Sequence, residues 1–409
     1  MSNEFQWFLG IDWGSEKHRL CLMECGGKIL EQKWVEHSGS ALAELVDWLR
    51  RLTSGVPGQA AVAIEVPRGA LVETLLEHGF AVFSINPKQL DRFRDRYSPA
   101  GAKDDERDAL VLADSLRTDR HCFRAVRIDD PQIIRLRELS RLEDDLLAER
   151  NRLSNQLWEQ LRRYFPALLK LSSSADEPWL WDLLHRAPTP ERAAKLKPAQ
   201  IARILDQHRI RRLNAQQVHE MLASAPLRLA AGAAEAATEH VVLLLPRLRL
   251  LHQQQADVAR RQEKLLQELA TPAGETGEHR DAAILLSLPG AGRKVTATML
   301  GEASQAIAER DYHALRCLAG CAPVTLQSGK KKIVLMRYSC NERLRNALYH
   351  WAFASIAHDP AAKRFYAASR ARGQTHARAL RGFADRQLAV AITMLRHHTL
   401  YDPNRRAAA

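Results

Sequence analysis

The sequence predicts an α/β domain in front and all-α structure behind, along a chain of 409 residues. Three observations carry that expectation. Roughly the first 120 residues alternate short apolar strand signals with helical ones. Two long stretches in the middle repeat leucines at threes, fours and sevens with charges between them. The last third reads as helix, with a Pro-Gly-x-Gly turn and a strong basic excess. With 46% hydrophobic and 26% charged residues, the chain can bury a core without disulfide or metal staples.

The elements follow in order. Phe5–Asp12 is an aromatic and aliphatic strand ending in Gly-Ile-Asp-Trp-Gly. Arg19–Met23 and Lys28–Val35 flank the turn Glu24-Cys25-Gly26-Gly27, which predicts a hairpin. Ser40 can cap a helix carrying Leu42, Leu45, Val46 and Leu49 at helical spacing. Ala60–Val66 and Ala81–Ile85 are short buried strands, separated by a helix over 71–77 that stops at His78-Gly79. Pro87 opens a helix to about Arg96, and Asp105–Arg117 is helical again. The order β-β-β-α-β-α-β-α reads as a mixed sheet flanked by helices. Pro131 opens a long helix to about Tyr164, and Pro246 a second one to Leu269, which predicts a coiled-coil arm or helical hairpin. Between them lies a weaker helical stretch from about Ser172 to Leu245. Behind, Ile284–Leu288, Pro289-Gly290-Ala291-Gly292 and a helix from Lys294 form a helix-hairpin-helix pattern. Thr325–Lys332 reads as a polar loop and Ile333–Met336 as a strand; basic helix follows, up to a tail at 404–409. The expected domains are therefore 1–128, 129–275 and 276–403.

Several classes are excluded at this stage. The longest apolar run, Val241–Leu245, is far short of a bilayer span. The first residues lack the basic-then-apolar layout of a secretory signal. Six cysteines without a Cys-x-x-Cys motif point to a reducing compartment rather than a disulfide scaffold.

The net charge is +12, and its distribution says more than its sum. Residues 326–409 hold 16 basic and 4 acidic side chains, whereas the first 120 hold 15 basic and 19 acidic. An excess of that size at one end is an electrostatic footprint for a polyanion. Tyr338, Tyr349, Trp351, Phe353, Phe365 and Tyr366 are interleaved with it, which favours nucleic acid.

Four carboxylates are candidates for chemistry. Asp12 ends the first strand, Glu65 ends the next buried one, and Asp105 and Asp108 lie three apart on a helix face. A charge at the end of an apolar strand is costly without a partner or a metal. Hard Mg2+ or Mn2+ ions take such oxygens, and two of them can clamp the oxygens of phosphoryl transfer. Asp104 competes for the third position, since it shares a face with Asp108 at four apart. In the basic half, Ser328 stands in Gln327-Ser328-Gly329-Lys330-Lys331-Lys332, a setting suited to attack on a phosphodiester. Arg293, Lys294, Lys330, Lys331 and Lys332 are phosphate-contact candidates.

In these segments the chain resembles the DEDD-type transposases of bacterial insertion sequences, described as bridge-RNA-guided serine recombinases. The matching residues are Gly10-Ile11-Asp12, the Glu65 strand and Lys103-Asp104-Asp105-Glu106-Arg107-Asp108-Ala109 in front. Behind, they are Leu288-Pro289-Gly290-Ala291-Gly292, Gly320-Cys321-Ala322-Pro323 and Gln327-Ser328-Gly329. Asp104 stands where the family usually has threonine. The resemblance implies a RuvC-like (ribonuclease-H-like) fold in front, a coiled-coil arm, and a transposase domain with a catalytic serine. It further implies Mg2+ on Asp12, Glu65, Asp105 and Asp108, and a covalent phosphoserine at Ser328. The site would be shared between protomers of a dimer or tetramer in the bacterial cytoplasm, and a structured guide RNA would pair with donor and target DNA. The alternatives are a Mg2+-dependent junction-resolvase-like nuclease using activated water, and a non-catalytic nucleic-acid-binding protein.

Overall fold

A computed structural model describes residues 5–97, 104–230, 232–271, 280–329 and 331–403. The chain divides into two compact units, 1–130 and 131–409, and each is described by itself.

The first unit opens with strands β1 (Trp7–Asp12), β2 (Lys17–Glu24) and β3 (Ile29–Glu36), then α1 (Gly39–Leu52), β4 (Ala60–Ile64) and α2 (Ala70–Glu77). It continues through β5 (Ala81–Ser84), α3 (Pro87–Arg94), α4 (Asp105–Thr118) and the two-residue β6 (Arg124–Ala125). The strands form one sheet in the order β3-β2-β1-β4-β5-β6. β1 pairs antiparallel with β2 and parallel with β4, and β4 parallel with β5. This mixed α/β architecture is consistent with a RuvC-like domain. Strand alternation divides the core between the two faces. Leu9, Ile11, Val62 and Ile64 pack with α1 and α2 on one face; Phe8, Ala61 and Ala63 pack with α4 on the other. Gly10 decides how closely α4 lies on β1. A Cβ there would stand 2.0 Å from the Ala109 carbonyl oxygen and 2.5 Å from the Ala113 amide nitrogen.

The second unit is helical apart from one hairpin. α5 (Pro131–Tyr164) is followed by α6 (Pro178–Arg186), α7 (Pro190–Ala193), α8 (Pro198–Gln207), α9 (Ala215–Leu222) and the long α10 (Ala233–Ala270). α5 and α10 run antiparallel: Gln262 donates to the Leu139 carbonyl at 2.9 Å, and Arg150 to Gln255. α10 does not start at Pro246, as the sequence suggested, but runs through it from Ala233. Pro246 is exposed while Val241, Leu244, Leu245, Leu248 and Leu251 are buried beside it. The ring therefore disturbs the solvent side, and the apolar stripe holds the helix together. Leu142, expected on the apolar seam of α5, is 46% exposed. The 172–245 stretch closes a core of its own around Trp179, Trp181, Leu157 and Leu161.

The remainder comprises α11 (Asp281–Ser287), α12 (Arg293–Glu302), α13 (Ser304–Ala308), α14 (Tyr312–Leu318), β7 (Val324–Ser328) and β8 (Lys331–Leu335). The last three helices are α15 (Glu342–His358), α16 (Pro360–Ala371) and α17 (His376–Arg396). A second core binds α11, α12, α15 and α17 to the start of α5 through Leu136, Leu285, Met299, Trp351 and Phe383. The expected polar loop at 325–332 is instead an antiparallel strand pair, Ser328 opposite Lys331. The expected tail at 404–409 lies outside the described residues.

Candidate active site

In the first unit, the register of the sheet brings two carboxylates together. β1 and β4 run parallel with Gly10 opposite Ala63 and Ile11 opposite Ile64. Asp12 is the last residue of β1, and Glu65 follows β4 by one residue. α4 runs back along β1 with its first turn at this end. Glu106 pairs with Arg19 at 3.2 Å, and Arg19 is the β2 partner of Asp12. At the opposite end of α4, Arg117 reaches the Cys25 carbonyl. The carboxylates of Asp105 and Asp108 thus belong to the helix turn that faces the strand ends of Asp12 and Glu65.

The residues of that turn do different work. Asp104 caps α4, its side chain accepting from the Arg107 amide at 2.8 Å. That commitment separates it from Asp105, which is exposed at the first helical position. Asp108 is 1% exposed and held by Arg94 in a fork of 2.6 Å (Nε to Oδ1) and 3.1 Å (Nη2 to Oδ2). Arg94 also pairs with Asp91 at 2.7 Å. Nothing in the spacing of the sequence singled out Arg94, whose role arises only when α3 and α4 pack.

All four are hard oxygen donors, which suits a divalent ion in kind. They do not form a closed cage. Among the described residues, no three His, Cys, Asp or Glu side chains gather closely enough to hold a metal. Asp108 spends both oxygens on Arg94.

In the second unit, Ser328 is exposed at the end of β7, and Gly329 takes φ +54° at the turn. Lys331 and Lys332 are exposed on β8 with no carboxylate at ion-pair distance among the described residues. Lys330 lies outside the described residues, as does Lys103. The hairpin also exposes Leu326, Ile333, Val334 and Leu335, at 53%, 38%, 57% and 46%. The basic pair that opens α12 has partners in this chain. Arg293 forks onto Glu143 at 2.7 and 3.0 Å, and Lys294 reaches Asp144 at 2.8 Å. Burial pushes the Glu143 carboxyl up, but the hydrogen bond and charge of Arg293, with Lys294 behind, hold it below the usual range. These two cations fasten α12 to α5. The Pro-Gly turn before them is likewise engaged: the Pro289 carbonyl accepts from Trp351 Nε1 and Ser355 Oγ, both at 2.9 Å. The six interleaved aromatics also sort themselves. Trp351 is fully buried and Phe365 packs on the core, whereas Tyr338, Phe353 and Tyr349 are exposed.

Two family models match the chain. A family model for DEDD-type IS110 transposases matches residues 9–166, and one described as "Transposase IS116/IS110/IS902 family" matches 282–367. The "Mini-circle putative transposase for IS117" of Streptomyces coelicolor is 33% identical over 389 residues, covering 93% of this chain and 92% of its own. The "Putative transposase y4uE" of Sinorhizobium fredii is 49% identical over 226 residues, 55% of this chain; the match spans 63% of that relative's length. The "Insertion element IS900 uncharacterized 42 kDa protein" of Mycobacterium paratuberculosis is 29% identical over 98% of both chains. These matches correct one part of the expectation: both models describe transposases, and the designation serine recombinase does not fit the family. Among the described residues no helix is long and apolar enough to cross a membrane. The chain belongs to the IS116/IS110/IS902 family of insertion-sequence transposases.

Proposed function

We propose that this transposase cuts and rejoins DNA strands through Ser328, acting together with the carboxylate edge formed by Asp12, Glu65, Asp105 and Asp108. The observation that supports the reading is that Asp12 ends β1, Glu65 follows β4 by one residue, and the first turn of α4, which carries Asp105 and Asp108, lies at the same end of the sheet. The exposed Ser328 beside Lys331 and Lys332 supplies the other half.

Ser328 Oγ attacks the phosphorus of the scissile phosphodiester and loses its proton. An Oγ–P ester forms, and one sugar hydroxyl leaves. Attack on that ester by a hydroxyl of another strand restores the serine and joins the strands, so the phosphodiester count is conserved without hydrolysis. Lys331 and Lys332 favour the charge on the phosphoryl oxygens. Asp12, Glu65, Asp105 and Asp108 would hold Mg2+ or Mn2+, which when bound neutralises charge on the same phosphate. Exposed apolar side chains on the hairpin suit a seat on another molecule, in keeping with a dimer or tetramer whose serine and carboxylates come from different protomers. A structured guide RNA, pairing with donor and target DNA, completes the reading through the family resemblance.

The test is a denaturing, protease-resistant trap for a protein–DNA adduct on element-end DNA. The adduct is expected with the parent chain and abolished in Ser328→Ala, together with cleavage. Full cleavage by Ser328→Ala without an adduct would make activated water the nucleophile, as in a junction resolvase.

A further inference from the structure

Where α15, α16 and α17 meet, three aromatic side chains surround one histidine at the surface. His376, the first residue of α17, receives or donates hydrogen bonds from both ring nitrogens: Tyr349 Oη lies 3.2 Å from Nε2 and Tyr366 Oη 2.9 Å from Nδ1. Its ring stands nearly perpendicular to Tyr349, Phe353 and Tyr366, with centroids 6.2, 6.4 and 5.8 Å away. This is not a buried cluster. His376 is exposed, Tyr349 is 39% and Phe353 57% exposed. An exposed set of rings fixed edge to face by hydrogen bonds is a rigid apolar surface that water alone does not explain.

Cations lie beside it. Several arginines of this unit are spent on carboxylates, as in Arg310–Asp281, Arg316–Asp385 and Arg343–Asp144, but those of α16 are not. α16 contains no acidic residue. Among the described residues, Lys363, Arg364, Arg370 and Arg372 have no carboxylate at ion-pair distance. Lys363 and Arg370 lie three before and four after Tyr366, on its side of the helix. The Arg370 guanidinium donates to the Gln374 carbonyl at 2.6 Å, two residues from His376.

We propose that this patch binds single-stranded nucleic acid, with bases stacked on Phe353 and Tyr349 and phosphates met by Lys363 and Arg370. Unpaired cations flanking fixed, exposed rings match the alternation of phosphate and base in a strand; a duplex hides its base faces and offers phosphates alone. The inference rests on the reading that the basic half engages nucleic acid, and adds to it a distinct site and substrate form.

The test measures binding of the full chain to fluorescent oligo-dT, oligo-U and a DNA duplex of equal length across a salt series. Phe353→Ala, at a position exposed enough to leave folding intact, should weaken both single strands about tenfold and spare the duplex. Adding Tyr349→Ala should deepen the loss, while Phe353→Trp retains binding. Lys363→Ala with Arg370→Ala should flatten the single-strand salt slope by about 1.4. A loss confined to oligo-dT or to oligo-U assigns the patch to that polymer. Equal losses on duplex and single strands, or unchanged single-strand affinity in Phe353→Ala, would overturn the proposal while leaving the nucleic-acid reading of the basic half intact. A parent chain that binds none of the three probes would overturn both.

Discussion

Asp108 and Arg94 pose the sharpest question at the scale of single residues. A carboxylate that is 1% exposed is tolerable because a guanidinium forks onto it. Arg94→Met should leave that charge uncompensated and cost about 3 kcal/mol. Millimolar Mg2+ or Mn2+ should return part of the loss, because a cation takes the freed oxygens; the Arg94→Met, Asp108→Asn double variant should show no such return. Thermal unfolding with and without the ions checks this, and an Arg94→Met variant as stable as its parent would contradict it. Gly10 is equally specific. With an alanine Cβ inside contact distance of the α4 backbone, Gly10→Ala should destabilise the first unit by about 2 kcal/mol and move the carboxylate turn off the sheet. Denaturant melts and loss of strand cleavage report the two effects. Asp12, Glu65, Asp105 and Asp108 were singled out in the sequence because strand ends and i, i+3 spacing are local properties. Arg94 was not, since its role depends on where α3 meets α4.

Among the elements, the β7–β8 hairpin carries Ser328, the proposed nucleophile, and two lysines without an ion-pair partner among the described residues. Lys331→Ala with Lys332→Ala should lower the salt slope of duplex binding by about 1.8 and weaken affinity across sequences alike. An unchanged slope would remove both from the phosphate contacts. The hairpin was read as a loop because a run of polar and lysine residues hides the two-sided pattern of a strand pair exposed on both faces. α10 was misplaced for a different reason. Pro246 carries a strong local start signal, and the burial of Val241, Leu244, Leu248 and Leu251 outweighs it. By contrast the extent of α5, Pro131 to Tyr164, was legible from its leading proline and its leucine spacing, although Leu142 of that series is exposed. The pair Arg293-Lys294 looked like a phosphate site for want of Glu143 and Asp144, which lie some 150 residues earlier in the chain.

Over the whole molecule, the chain separates into two compact units. In the second unit, Glu143 and Glu302 tie α5 to α12 and to Asn341. Burial pushes both carboxyls up, but Arg293 for Glu143, and Arg141 with Asn341 for Glu302, hold both below the ordinary value of 4.5. A carboxyl that titrates lower when folded stabilises fully above that value, and the contribution disappears as pH falls through the folded pKa. Unfolding midpoints should therefore drop below about pH 4.5 in the parent and less so in Glu143→Gln, whose starting stability is lower; parallel curves would contradict the assignment. The mixed α/β front and helical back were legible from periodicity alone, whereas the proposed joining of carboxylates and serine on one DNA linkage would be a property of an assembly. The most direct test of that claim is complementation. Ser328→Ala and the Glu65→Gln, Asp105→Asn double variant should each be inactive alone and recover strand transfer when mixed, since each can supply what its partner lacks. If the mixture stays inactive while both variants fold and associate as the parent does, serine and carboxylates do not act across protomers on one phosphate.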